Sequence, residues 1–230
     1  MADNLFIGTA DMNQQVLPNL ILHRICKSYE NKEIFDNLSY EFNLGCYAIT
    51  GANGIGKSTL LAMMAGAVKP DSGQISINGI DLKLKGKMAK MQLAYIPDKA
   101  PIYPFITGLE FIHFIKYAKQ VNDTAEIQIA LENFKLLPFL NNTFADMSLG
   151  TQKKFMIAAA LIGSPSVMLF DEPSNALDED AREFLCRYVQ DNISKKVMIF
   201  ASHDRNFISS VATQELHLLS LPNSNFITAL

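Results

Sequence analysis

The chain of 230 residues has no tryptophan, three cysteines and no apolar run near the roughly 20 residues that a membrane-spanning helix requires. Each shortage narrows the class. Cys26, Cys46 and Cys186 are odd in number, at spacings that match no metal-ligand pattern, so they read as small buried apolar side chains in a reducing compartment. The start, MADNLFIGTADMNQQ, puts acidic and polar residues where a secretory signal needs a basic and then an apolar stretch, so export is not expected. No charge of one sign dominates: 20 Lys+Arg stand against 23 Asp+Glu, for a net charge of -3. That balance offers no overall attraction for nucleic acid or an anionic membrane. Internal repeats and low-complexity segments are missing too, which rules out solenoids and long linkers.

What is present is apolar for a globular chain: 49% hydrophobic residues and a mean hydropathy of +0.10. Residues 1–17 lack periodicity and read as a loose arm; a single domain then fills 18–230. Alternation over 20–29 and 34–44 predicts two antiparallel strands joined at 30–32, and a short strand follows at 46–50. A helix is expected over about 57–67, then strands at 74–78 and 93–96. The pattern changes after three prolines, Pro97, Pro101 and Pro104. Thr107 and Glu110 form a capping-box pair for a helix running to about 119; a second amphipathic helix covers 124–136, and a third starts near Ser148. Apolar runs at 167–170 and 197–201 read as buried strands, with a helix over 179–190 between them. The fold class is therefore α/β, a core with a mainly parallel sheet, an N-terminal antiparallel β subdomain and a helical insertion. The core takes about 18–97 and 161–220, the insertion about 98–160.

The chemistry gathers around phosphate. Gly51-Ala52-Asn53-Gly54-Ile55-Gly56-Lys57-Ser58, followed by Thr59, fits the pattern G-x-x-x-x-G-K-[ST] between an expected strand and an expected helix. Glycines let the backbone wrap an anion closely, and the helix presents its positive end to it. Lys57 then neutralises β and γ oxygens, while the Ser58 hydroxyl ligates Mg²⁺. A buried strand ending in Asp171 and Glu172 supplies a second anchor. Asp171 is placed to hold the metal through water, and Glu172 to polarise or deprotonate an attacking water. A chance match of the glycine pattern, or a strand that meets a solvated turn, is the plain alternative at each element.

Taken with Ser148-Leu149-Gly150-Thr151-Gln152 before Asp171-Glu172-Pro173, and His203 after it, the chain resembles the nucleotide-binding subunit of an ABC transporter over about residues 20–219. The resemblance implies that the α/β core is a P-loop NTPase core, and an ATPase whose two copies sandwich two ATP molecules, each site formed by the P-loop of one copy and the signature of the other. It implies that Tyr29 stacks on adenine, that Ser148 and Gly150 touch the γ-phosphate across the dimer, that Asp178 communicates between the sites and that His203 contacts the γ-phosphate. The residues alone also admit a half-buried strand tyrosine at 29, helix caps at 148 and 178 and a structural histidine at 203. His23, His113 and His217 read as structural or exposed.

Two motifs depart from the family pattern, at three positions. Asp98 stands where a glutamine is usual, still able to hold Mg²⁺ or water, and Leu149 and Thr151 replace a glycine and a glutamine in the signature. Both departures resemble the ABC-2 exporter branch, in which such a subunit works with a separate membrane-spanning subunit. The resemblance thus implies ATP and Mg²⁺ as cofactors and, as partners, a second ATP-binding subunit in a homodimer plus a transmembrane subunit. It implies a cytoplasmic, peripheral place at the inner face of the membrane, with no nucleic acid as partner. The docking surface is expected over 98–119, with Ile102, Tyr103, Phe105 and Phe111 exposed. Alternatives are a non-transport ABC-type ATPase, a P-loop GTPase or kinase, whose guanine motif is missing downstream, and a non-hydrolysing ATP clamp.

Overall fold

A computed structural model describes residues 19–30, 32–99, 102–122, 125–219 and 226–228. The arm expected over 1–17 lies outside the described residues. In chain order the first elements are β1 (Leu20–Tyr29), β2 (Lys32–Phe42), β3 (Gly45–Thr50), α1 (Lys57–Met64), β4 (Ser72–Ile77), β5 (Ile80–Asp81), α2 (Gly86–Met91) and β6 (Leu93–Ile96). Next come α3 (Gly108–Lys119), α4 (Ala125–Asn133), α5 (Leu149–Ala160), β7 (Val167–Asp171), α6 (Glu179–Asn192), β8 (Val197–Ala201), α7 (Arg205–Val211), β9 (Gln214–Leu218) and β10 (Phe226–Thr228). Two sheets result, an antiparallel one ordered β2-β1-β4-β5 and a six-stranded one ordered β10-β9-β3-β8-β7-β6. Strands β9, β3, β8, β7 and β6 pair in parallel, so their carboxyl ends emerge on one edge.

The apolar runs at 93–96, 167–171 and 197–201 are continuous because the parallel sheet is covered on both faces. Ala94, Ile96, Met168, Phe170, Met198 and Phe200 face one cluster, shared with Phe155 of α5, Leu185 of α6 and Phe207 of α7. The alternate residues Leu93, Val167, Leu169, Val197 and Ile199 face the other cluster, shared with Leu60 and Met64 of α1 and with Phe35 and Leu38 of β2. Period-two alternation thus assigns the helical insertion to one face and the antiparallel sheet to the other. Rings of Phe170 and Phe200 stack 4.4 Å apart across β7 and β8.

Several expected boundaries move. The hairpin is tighter than read: Tyr29 pairs with Lys32, so β2 starts at Lys32 rather than 34 and stops at Phe42. Helix α1 ends at Met64 instead of 67, with Gly66 left-handed (φ 65) just beyond it. Described helix α4 begins at Ala125 and ends at Asn133, and residues 123 and 124 fall outside the described set. The capping box at Thr107 and Glu110 forms as expected, in both directions. Elements α2, α7, β5, β9 and β10 were not legible in the periodicity. Only Cys46 is fully buried; Cys26 and Cys186 are half-buried, which corrects the reading of all three as core thiols. Among the described residues no helix is long and apolar enough to cross a membrane.

Candidate functional site

The P-loop follows β3, the central strand, and leads into α1. Gly56 caps that helix in the left-handed region (φ 113), and a side chain there would press into Ile34 at 2.6 Å and Phe35 at 2.9 Å. Glycine is thus demanded twice, by backbone conformation and by the antiparallel sheet packed behind. Lys57 folds back across the loop, its Nζ donating to the carbonyls of Gly51 at 2.8 Å and Ala52 at 3.1 Å. Burial lowers its pKa, and the nearby Glu172 and Asp171 charges oppose that fall. Gly51 and Gly54 also have positive φ (141 and 75), so Gly51–Thr59 forms a turn and a helix start around one ammonium. Tyr29 is half-exposed at the tip of the β1–β2 hairpin, under the Lys27 ammonium at 5.0 Å, and its strand partner Lys32 reaches the Gly54 carbonyl at 3.3 Å. The structure therefore sets the Tyr29 end of that hairpin beside the P-loop.

The neighbouring strand ends bring up the acids. Asp171 closes β7 opposite Ala201 of β8, nearly buried at 4% exposure. Burial raises its carboxyl pKa, and a hydrogen bond from the Ser58 side chain opposes the rise. Ser58 and Asp171 together present hard oxygen ligands next to Lys57, a donor set that fits Mg²⁺. Among the described residues no three His, Cys, Asp or Glu side chains gather into a metal cage. The pair thus suits an ion that draws most of its ligands from phosphate and water. Asp98, exposed two residues beyond β6, is close enough to raise the Asp171 pKa further.

Glu172 stands in a left-handed conformation (φ 47). Its amide donates to the Ala201 carbonyl at 2.8 Å, and its carboxylate accepts from the Ser202 hydroxyl at 3.2 Å and the His203 amide at 3.3 Å. The His203 Nε2 lies 3.6 Å from the other carboxylate oxygen. The two expected catalytic residues are therefore neighbours, with Ser202, which sequence reasoning missed, holding the carboxylate in place.

Ser148 and Gly150 sit at the start of α5. The Ser148 side chain caps α5 by accepting from the Thr151 amide at 3.1 Å. A Cβ on Gly150 would meet the Ala176 carbonyl at 2.5 Å, so this glycine is fixed by packing against the 174–178 loop as well as by any role toward phosphate. Ala176 itself is left-handed (φ 64). Asp178 caps α6 through the Ala181 amide at 3.0 Å and pairs with Lys154 of α5 at 2.6 Å. Both contacts hold its carboxyl below the usual range, the Lys154 hydrogen bond most. Sequence reasoning also missed Lys153, buried at 4% exposure between α5 and the acids. A lysine next to the apolar stretch at 155–162 was the one signal for it.

A family model described as ABC transporter matches residues 35–175. The glucosylceramide transporter ABCA12 of Mus musculus is 29% identical over 205 residues, 84% of this chain and 8% of that protein. Nod factor export ATP-binding protein I of Rhizobium meliloti (strain 1021) is 26% identical, covering 78% of this chain and 55% of its own length. The same-named protein of Burkholderia orbicola (strain AU 1054) is 29% identical, covering 77% and 60%. The chain thus spans only part of the curated relatives it matches. Among solved structures, an ATP-binding subunit of an ABC transporter superposes with a TM-score of 0.83 at 24% identity, covering 91% of this chain and 89% of that one. A dimeric ATP-binding cassette in a post-hydrolysis state with ADP and Pi gives 0.74 at 21% identity, covering 86% and 93%.

Proposed function

The chain belongs to the ABC transporter family as a nucleotide-binding domain, and from that premise we propose that it binds Mg-ATP in a two-copy sandwich and hydrolyses it to drive a separate membrane-spanning subunit. The observation that carries the reading is the row of strand ends: Lys57 and Ser58 after β3, Ser202 and His203 after β8, Asp171 and Glu172 at β7 and Asp98 after β6. Such a crevice outside the carboxyl ends of parallel strands is where ligands bind in open α/β sheets. Lys57 takes the β and γ oxygens in place of its own loop carbonyls, and Ser58 with Asp171 and Asp98 holds the metal, which supplies charge neutralisation on the phosphates. Glu172, oriented by Ser202 and the His203 amide, accepts the proton of the attacking water.

The second copy supplies what one chain lacks. Ser148 and Leu149 are exposed at the N-terminus of α5, where free backbone donors suit an anion. Ser148 and Gly150 of one copy then meet the γ-phosphate held by the other, while Asp178 and Lys154 tie that signature helix to α6.

The membrane subunit docks on α3 and the loop before it. Tyr103, Phe105, Phe114 and Tyr117 are 68%, 72%, 63% and 85% exposed. A groove of about 490 Å³ is lined by Ile102, Tyr103, Ile106, Glu110, Phe111 and Phe114. Ile102 and Phe111, read from sequence as exposed, are half-buried against the helical core, whereas Phe114 and Tyr117 present the outer surface. This apolar face and the likeness to export ATP-binding proteins support an ABC-2-type exporter arrangement. Lys57→Ala is expected to abolish ATP binding in an equilibrium assay; unchanged affinity contradicts the site. Phe105→Ser with Phe114→Ser is expected to keep ATP binding but lose a co-purifying membrane protein from gentle detergent extracts. Nucleic-acid-stimulated hydrolysis, with no membrane protein recovered, favours the non-transport ATPase instead.

A further inference from the structure

Lys153 lies inside the molecule with its ammonium surrounded by carbonyl oxygens. Its Nζ donates to Pro97 at 3.1 Å, Asp98 at 3.4 Å and Asp171 at 3.2 Å. Those three carbonyls belong to the two segments that carry Asp98 and Asp171, the second of which accepts from the Ser58 side chain, and the lysine comes from α5, the helix capped by Ser148. The nearby carboxylates of Asp98, Asp171 and Glu172 favour its charged form against burial. Neighbouring α5 side chains go elsewhere: Lys154 to Asp178 at 2.6 Å, and Gln152 to the carbonyls of Phe144 at 2.7 Å and Met147 at 3.1 Å. Lys153 alone of these bonds to both acid-bearing segments.

We infer that Lys153 is a positioning residue: through its three carbonyl bonds it sets the spacing between Asp98 and Asp171 and ties that spacing to the signature helix. Strands β6 and β7 pair only as far as Ile96 and Phe170, so beyond that point no ladder bond between them fixes the distance between the two acid-bearing segments. An ammonium with three N–H donors bridges that gap where a neutral apolar side chain leaves it open. Asp98, exposed and on a loop, depends on this bridge most. The inference rests on the Mg-ATP reading above and adds a residue outside its motifs.

Lys119 supplies the control. It is also carbonyl-bound, donating to Lys90 at 2.9 Å and to Leu93 and Met91 as well, but at the opposite end of β6. The test measures equilibrium affinity for a non-hydrolysable ATP analogue, in EDTA and in Mg²⁺, for wild type, Lys153→Met, Lys153→Gln and Lys119→Met, with thermal unfolding to confirm folding. Lys153→Met is expected to keep the EDTA affinity within about twofold while the gain in affinity on adding Mg²⁺ shrinks about tenfold. Lys153→Gln, which retains two donors, restores part of the gain, and Lys119→Met leaves the gain intact. If Lys153→Met does not fold, Lys153→Gln carries the comparison, with a reduced gain expected against wild type. An unchanged Mg²⁺ gain, or an equal loss with and without the metal, overturns the inference. A wild-type protein with no Mg²⁺ gain contradicts the functional reading itself and is thereby told apart.

Discussion

Adding one methyl group at two glycines of this protein is expected to change stability in opposite directions. Gly86 starts α2 with nothing within 4 Å of a would-be Cβ, whereas the Cβ of an alanine at 150 would meet the Ala176 carbonyl at 2.5 Å. At Gly86 the change removes unfolded-chain entropy without a clash and stabilises by about 0.4–1 kcal/mol. At Gly150 the helix-propensity gain is at most about 1 kcal/mol, against an overpacking cost at the upper end of the usual range, about 2–3 kcal/mol, because the Cβ would approach a backbone oxygen. The clash wins because the obstructing atom is backbone: relief requires moving either the first turn of α5 or the left-handed Ala176. The net cost is about 1–2 kcal/mol, and for a chain of this size each kcal/mol moves Tm by about 2–4 °C. Gly150→Ala should therefore lower Tm by roughly 2–8 °C, and Gly86→Ala raise it by roughly 1–4 °C. Scanning calorimetry of both variants without nucleotide is the assay. A Gly150→Ala protein as stable as wild type refutes the close contact between the signature helix and the 174–178 loop.

Other expectations follow from caps and buried charges. Asp178→Ala loses the α6 N-cap and an exposed ion pair and should cost about 1 kcal/mol near neutral pH. Because the Asp178 carboxyl is held below its ordinary value when folded, its contribution is complete above the unfolded pKa and disappears as pH falls through the folded one. Wild type and Asp178→Ala should accordingly converge in urea midpoint in strong acid. Lys119 has the same sign in a higher pH window: burial lowers its pKa to about 8, so above that pH the unfolded chain binds the extra proton and wild-type stability rises toward the ordinary lysine pKa. Lys119→Met should lack that rise between about pH 8 and 10 in the same urea titration. Glu110→Ala breaks the capping box, in which the Glu110 carboxylate accepts from the Thr107 amide at 2.8 Å, and should lower the thermal unfolding midpoint.

The strands at 93–96 and 197–201 were legible to the residue because continuous apolar runs have no other place than a doubly covered sheet. The P-loop, Asp171 and Glu172 were legible because their chemistry dictates residue type and spacing locally. What stayed hidden is what depends on distant packing. Helix α7, Arg205–Val211, is held by the Asp204 cap to the Phe207 amide at 3.0 Å and by Phe207 against Phe200, a contact no periodicity reveals. The exposure of Tyr117 and half-burial of Phe111 come from how α3 is rotated against α5. Lys153 shows the same limit at the site: a lysine read along the chain is a surface residue until the fold surrounds it with carbonyls.

The hydrolysis proposed above depends on Glu172, at a site completed by two copies. Glu172→Gln keeps the shape of a side chain held by Ser202 and the His203 amide but removes the proton acceptor, a loss of about 10²–10⁴-fold for a general base. The most direct measurement is single-turnover hydrolysis of Mg-ATP by this variant alongside its sedimentation with and without ATP. Hydrolysis is expected to slow at least about a hundredfold, with retained ATP affinity and an ATP-dependent dimer. Hydrolysis at the wild-type rate, or a variant that stays monomeric in saturating ATP, contradicts the proposal.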